Sequence, residues 1–170
     1  MALDDDIRRM NEIALFRQLD GDALRLLTFS AEQRLLRAGG VLFREGDQSD
    51  GAYLLTKGAI DLRAARDPAA RRFAPVVLLG ELALITQTAR PATAIAADHS
   101  TVLRISRKLF HRVLEEFPSC AARIRDMVEV RLASYAADLR HFAEEEPPVT
   151  GAGPATPARG RTAAPNFARP

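Results

Sequence analysis

Glycine punctuation is the feature that most constrains this fold. Between residues 39 and 62, Gly39-Gly40, Gly46, Gly51 and Gly58 separate the short apolar segments Val41-Leu42-Phe43, Ala52-Tyr53-Leu54-Leu55 and Ala59-Ile60-Asp61-Leu62. Each segment is too short for a packed helix, and the glycines supply turns between them. Glu45-Gly46-Asp47 reads as a tight turn with Gly46 at positive φ. Arg66-Asp67-Pro68-Ala69-Ala70 reads as another turn, and Arg71 to Val77 leads back toward the middle of the chain. Ala94 to Ala97 and Thr101 to Ile105 read as two further strands joined at Asp98-His99-Ser100. Short strands with glycine turns imply a β-roll or sandwich rather than alternating helix and strand.

Helical patterning flanks this region. Asp4, Asp5 and Asp6 crowd the start of a helix over the first residues, where carboxylates favour the positive end of the dipole. Ile7, Met10, Ile13 and Ala14 follow at helical spacing. A second helix starts at Gly21-Asp22, with Leu24, Leu26, Leu27 and Phe29 as its apolar side. Ser106 is placed to cap a helix from Arg107 to Phe117, and Pro118 breaks that helix and opens the next. The last helix runs to about Phe142. Its Val128, Leu132, Tyr135, Leu139 and Phe142 alternate in steps of four and three, the seam of a coiled coil. That seam either packs on its own β-roll or pairs with a second copy through residues 124–142. Residues 147–170 hold six prolines, three glycines, three arginines and no acid, a composition that cannot bury a core.

The expected fold is therefore α+β. It has a helical lead-in over 1–30 and an antiparallel β-roll, of the jelly-roll or double-stranded β-helix kind, over 31–106. Two C-terminal helices follow over 107–142, and a disordered tail over 143–170. At 170 residues and 47% hydrophobic, the chain can bury a real core. No apolar run approaches the roughly 20 residues that span a bilayer. The acidic start is not a secretory leader, and the one cysteine, Cys120, fits a reducing compartment. The expectation is a cytoplasmic protein that does not enter the membrane.

Chemistry concentrates at residues 79–94, where Gly80-Glu81-Leu82-Ala83-Leu84 is followed five residues later by Arg90-Pro91-Ala92-Thr93-Ala94. Gly80 admits a close backbone approach. Residues 81–85 suit one helical turn whose first amides face an anion. Arg90 offers a planar fork to two phosphate oxygens, and Glu81 accepts from hydroxyls. Read without a ligand, the same residues make a Glu81–Arg90 ion pair that closes a loop. Catalysis is not expected. His99, His111 and His141 lack metal-ligand spacing, and Cys120 has no adjacent base. No cofactor or metal is called for.

Two separated motifs here resemble the cyclic-nucleotide-binding domain, the family of kinase regulatory subunits, catabolite activator proteins and nucleotide-gated channels. The phosphate-binding cassette of that family runs hydrophobic-Gly-Glu-x-Ala-Leu, a short spacer, then Arg, a small residue and Ala. Leu79-Gly80-Glu81-Leu82-Ala83-Leu84 and Arg90-Pro91-Ala92 match it. Leu42-Phe43-Arg44-Glu45-Gly46-Asp47, with Ala52-Tyr53-Leu54-Leu55 and Gly58, matches the earlier half. The resemblance covers about residues 10–142. It implies that Glu81 binds the ribose 2′-hydroxyl, that Arg90 binds the cyclic phosphate with the amides of Leu82 and Ala83, and that a residue near 130–135 covers the base. The ligand-binding set is then Gly80, Glu81, Leu82, Ala83, Arg90, Pro91 and Ala92.

Pro91 departs from the family, which usually has Ser, Thr or Ala there. Proline removes an N–H donor, and a lost charge-assisted donor costs about 1.5–3 kcal/mol. It also lacks the hydroxyl that helps hold guanine in relatives preferring cGMP, so cAMP is expected over cGMP. The tail offers proline and glycine where a helix-turn-helix would need two patterned helices. The expectation is a free-standing regulatory sensor, not an enzyme, that signals to a protein effector or through a homodimer, without a DNA-binding domain. The alternative is an interaction module that keeps the fold and has weak or no nucleotide binding.

Overall fold

The computed structural model describes residues 2–144, and the expectation for the tail lies outside them. The chain opens with α1 (Ala2–Asn11), which has Asp4 and Asp5 in its first turn and Arg8 and Arg9 in its last, both matched to the helix dipole. After a 3-10 turn at Phe16–Gln18 comes α2 (Gly21–Ser30), where Asp20 accepts from the Ala23 amide at 3.0 Å as the N-cap. Such a cap stabilises a helix by about 1 kcal/mol. Ala23, Leu24, Leu27 and Thr28 form the buried side of α2, whereas Phe29 is exposed. The expected apolar side thus changes at its end. Phe29 lies nearly half a turn away from the face that Leu24 and Leu27 share.

Eight strands follow: β1 (Glu32–Leu36), β2 (Val41–Phe43), β3 (Gly51–Lys57), β4 (Ile60–Ala64), β5 (Asp67–Phe73), β6 (Val77–Leu79), β7 (Thr93–Ala96) and β8 (Ser100–Ser106). They form two four-stranded antiparallel sheets, ordered β1-β8-β3-β6 and β2-β7-β4-β5. The antiparallel β-roll with helices before and after it is the expected fold.

Two turn assignments need correction. Asp67 to Ala70 are strand, with Ala64 opposite Asp67 and Leu62 opposite Arg71. Pro68 is tolerated because β5 is the outermost strand of its sheet, where one face of the ladder needs no donor. Gly51 is also not a turn glycine. It is the first residue of β3, and a Cβ there would strike the Ile105 carbonyl of the neighbouring β8. Gly46 and Gly58 do turn, with φ of 85° and 86°.

Successive side chains on a strand face opposite ways, and β3 and β8 use both faces. Ala52 and Leu54, with Leu103 and Ile105, belong to a cluster with Met10, Leu15, Phe16, Leu27, Phe110 and Cys120 from the helices. Tyr53 and Leu55, with Val102, belong to a second cluster inside the roll with Ile60, Leu79, Ala94 and Ala96. This explains why Ala52 to Leu55 is a continuous apolar run without alternation.

Between β6 and β7 sits a short helix, α3 (Leu82–Ile85). After β8, Ser106 caps α4 (Arg107–Glu116) by accepting from the Leu109 amide at 3.1 Å. Pro118 opens α5 (Pro118–Glu144). Residues through Leu132 make one compact unit. Val128 packs against the helical cluster, whereas Leu132 is exposed, so the seam leaves the core between them. The side chains of Tyr135, Leu139 and Phe142 lie outside the described residues.

Candidate functional site

The two sequence motifs meet because the backbone zips them together. The Gly46 amide donates to the Arg90 carbonyl at 2.8 Å, and the Arg90 amide donates to the Asp47 carbonyl at 2.8 Å. Gln48 bridges Ala89, and the Ser49 amide donates to the Thr88 carbonyl at 2.8 Å. The Gly46 turn is therefore the mould in which Arg90 is held.

Arg90 is buried, at 5% exposed. Its Nη2 donates to the Gly51 carbonyl at 2.7 Å, and its guanidinium lies 4.4 Å from the Phe43 ring centre and 5.5 Å from that of Tyr53. Those rings stack on each other with centres 5.9 Å apart. Among the described residues no carboxylate forms an ion pair with Arg90. Burial pushes its pKa down, and Tyr53, Asp50 and Asp47 partly offset this. Desolvating a charge is costly unless it is paired, so this buried guanidinium is complementary to an anion.

Gly80, at φ 78°, occupies the left-handed region beside it. A Cβ at this position would strike Arg90 Nη1. Leu79 anchors the cassette in the roll cluster and Leu84 in the helical cluster. Ala83 and Ala92 are buried, Leu82 is 60% exposed, and Pro91 is exposed. The Ala83 amide, which the resemblance assigns to the phosphate, donates here to the Gly80 carbonyl at 3.0 Å. That bond closes the turn that starts α3.

The loop-closing Glu81–Arg90 pair does not occur. Glu81 Oε1 instead accepts from Arg131 Nη1 of α5 at 2.6 Å. Both side chains are partly exposed, 36% and 42%, so the pair contributes up to about 1 kcal/mol. Arg131 falls within the stretch expected to cover the ligand. Beyond the cassette arginine, a cavity of about 280 Å³ is lined by Leu62, Arg71, Phe73, Pro91 and Ala92. Its apolar walls lie directly against the second half of the cassette.

Sequence reasoning missed Phe43, Tyr53 and the Gly51 carbonyl as partners of Arg90. The two aromatics stand within the glycine-punctuated segments, but strand pairing was needed to bring them under one guanidinium. The stretch near 130–135 was expected over the base, but its contact with Glu81 through Arg131 was not. Among the described residues no group of histidines, cysteines and carboxylates could hold a metal, and no helix is long and apolar enough to cross a membrane.

The sequence model described as the cyclic nucleotide-binding domain matches residues 33–117, half of the chain. A cAMP-dependent protein kinase regulatory subunit from Eremothecium gossypii is 34% identical over 100 residues, covering 59% of this chain and 22% of that one. The chain thus spans less than a quarter of that relative. The solved structure of a cyclic nucleotide-binding-like protein from Brucella abortus is 44% identical, with a TM-score of 0.60, covering 65% of this chain and 98% of the other. The N-terminal domain of a transcriptional regulator from Streptomyces coelicolor is 28% identical, with a TM-score of 0.70, covering 79% and 94%. With the cassette geometry in place, this chain belongs to the cyclic nucleotide-binding domain family.

Proposed function

We propose that this chain is a non-catalytic cyclic-nucleotide receptor module that signals through its last two helices to a protein effector in the cytoplasm. One observation carries the reading: a buried guanidinium, Arg90, sits in an aromatic and backbone cradle with no carboxylate partner among the described residues. A cyclic phosphate supplies the missing charge. Glu81 accepts from the ribose through the oxygen that Arg131 leaves open. The base lies over Pro91 and Ala92, in the cavity with Leu62 and Phe73. Pro91 has no hydroxyl for guanine, so cAMP is the ligand proposed ahead of cGMP.

The mechanism is a population shift. Phosphate engages the guanidinium that now donates to Gly51, and the cassette turn settles around it. Glu81 carries Arg131, and with it α5, along with that movement. Homodimerisation through residues 124–142 is the second part of the proposal. Val130 and Leu132 support it, at 69% and 62% exposed on α5.

Calorimetry with cAMP and cGMP on the wild-type chain and on Arg90→Ala tests the receptor. Binding to wild type and none to Arg90→Ala is expected. No heat from either ligand at millimolar concentration with wild type would leave the interaction-module reading in its place, with Pro91 as the cause. Light scattering should give twice the chain mass for wild type and the single mass for Leu132→Asp. A monomeric wild type removes the dimer.

A further inference from the structure

The cassette helix α3 has only four residues, so its last carbonyls have little helix to bond to. The Leu82 carbonyl accepts from the Thr86 amide at 3.0 Å. The next two are taken by side chains of α4. The Ala83 carbonyl accepts from Arg107 Nη1 at 3.2 Å, and the Leu84 carbonyl lies 2.9 Å from His111 Nε2. A carbonyl only accepts, so Nε2 carries the proton in this contact. Arg107 and His111 are four residues apart and share one face of α4. A cation at this end of α3 also complements the negative pole of the helix.

Arg107 reaches further. The same Nη1 lies 3.2 Å from the Ser49 carbonyl, and the Arg107 amide donates to the Asp50 carbonyl at 2.7 Å. The next residue, Gly51, holds Arg90. One side chain of α4 thus ties both segments that build the site, the start of β3 and the cassette helix. Around His111, Asp50, Arg104 and Lys108 share one cavity, and Arg125 and Glu129 of α5 share another.

We infer that Arg107 and His111 are positioning residues of the nucleotide site: they grip the carbonyl end of the cassette helix and make α4 move with the cassette. The inference rests on the receptor reading for its ligand, but the grip exists without one. It is also separate from the Glu81–Arg131 contact, which acts at the other end of α3 and on α5.

The test uses the full chain, with His111→Leu, His111→Gln and the double variant Arg107→Met/His111→Leu. Glutamine keeps an N–H donor where leucine has none. Without nucleotide, amide exchange at Leu84 and Thr86 should quicken about three- to tenfold in His111→Leu, more in the double variant, and return toward wild type in His111→Gln. Exchange in β3 and β8 reports the fold. If the double variant loses it, the two His111 variants decide, since that side chain lies at the surface. With cAMP or cGMP added, the double variant should bind about tenfold more weakly than wild type, and the protection that wild type gains in α4 should disappear. Unchanged cassette exchange in folded His111→Leu overturns the inference. So does full α4 protection in a nucleotide-bound double variant. A wild type that binds neither nucleotide ends the receptor reading instead, and the exchange comparison then decides the grip alone.

Discussion

The two ends of the cassette are built to opposite specifications. At one end Arg90 is buried, clasped by Gly51, Phe43 and Tyr53, and zipped through its backbone to the Gly46 turn. At the other end Glu81 is partly exposed and its side chain is held by a helix, α5. The first end is hydrogen-bonded into the roll through both its backbone and its side chain. The second belongs half to the roll and half to a helix that leaves the core after Val128. On the proposed reading, affinity would belong to the rigid end and response to the shared end.

Substitutions should separate the two. Arg90→Ala is expected to have the largest effect, at least 100-fold weaker nucleotide binding by calorimetry, because a buried charged donor is lost together with its aromatic contacts. Near-wild-type affinity in that variant would break the comparison outright. Gly80→Ala comes next. It forces a left-handed residue costing about 1–2 kcal/mol and places a Cβ against Arg90 Nη1. A lower Tm and a weaker affinity should appear together, and a fall in Tm alone would detach Gly80 from the site. Glu81→Gln keeps the shape and removes the charge, for roughly a tenfold loss. Arg131→Met is the smallest, less than about fivefold in affinity. Its effect should show instead as a loss of nucleotide-dependent protection in α5, read by amide exchange. A large affinity loss there, with α5 still responding, would reverse the roles of the two ends.

Much of this was legible in the residues. Glycine spacing and short apolar segments carried the β-roll, Ser106 and Pro118 marked the boundaries of α4 and α5, and the cassette motif stood out because Gly80, Glu81 and Arg90 lie within eleven residues. What failed was local evidence overruled by neighbours. Pro68 looks like a turn former until β5 is known to be an edge, and Gly51 looks like punctuation until β8 passes against it. The partners of the site were hidden for a related reason. Phe43, Tyr53, Arg107 and Arg131 reach the cassette only through pairings between residues far apart in sequence. A motif reports what binds a ligand, whereas the residues that hold the motif are dispersed along the chain.

The zip between the Gly46 turn and Arg90 joins residues more than forty positions apart. Loop closure of that length comes at an entropic cost before any contact repays it. The guanidinium meets Gly51, Phe43 and Tyr53 together only where the Gly46 turn is zipped to the cassette, so its full cradle belongs to the closed roll. A ligand bound by Arg90 would favour the folded chain over unfolded ones. At a hundredfold excess over Kd such a ligand would add about 2.7 kcal/mol to the stability of the native state, so the chain would resist proteolysis better with its ligand than without it.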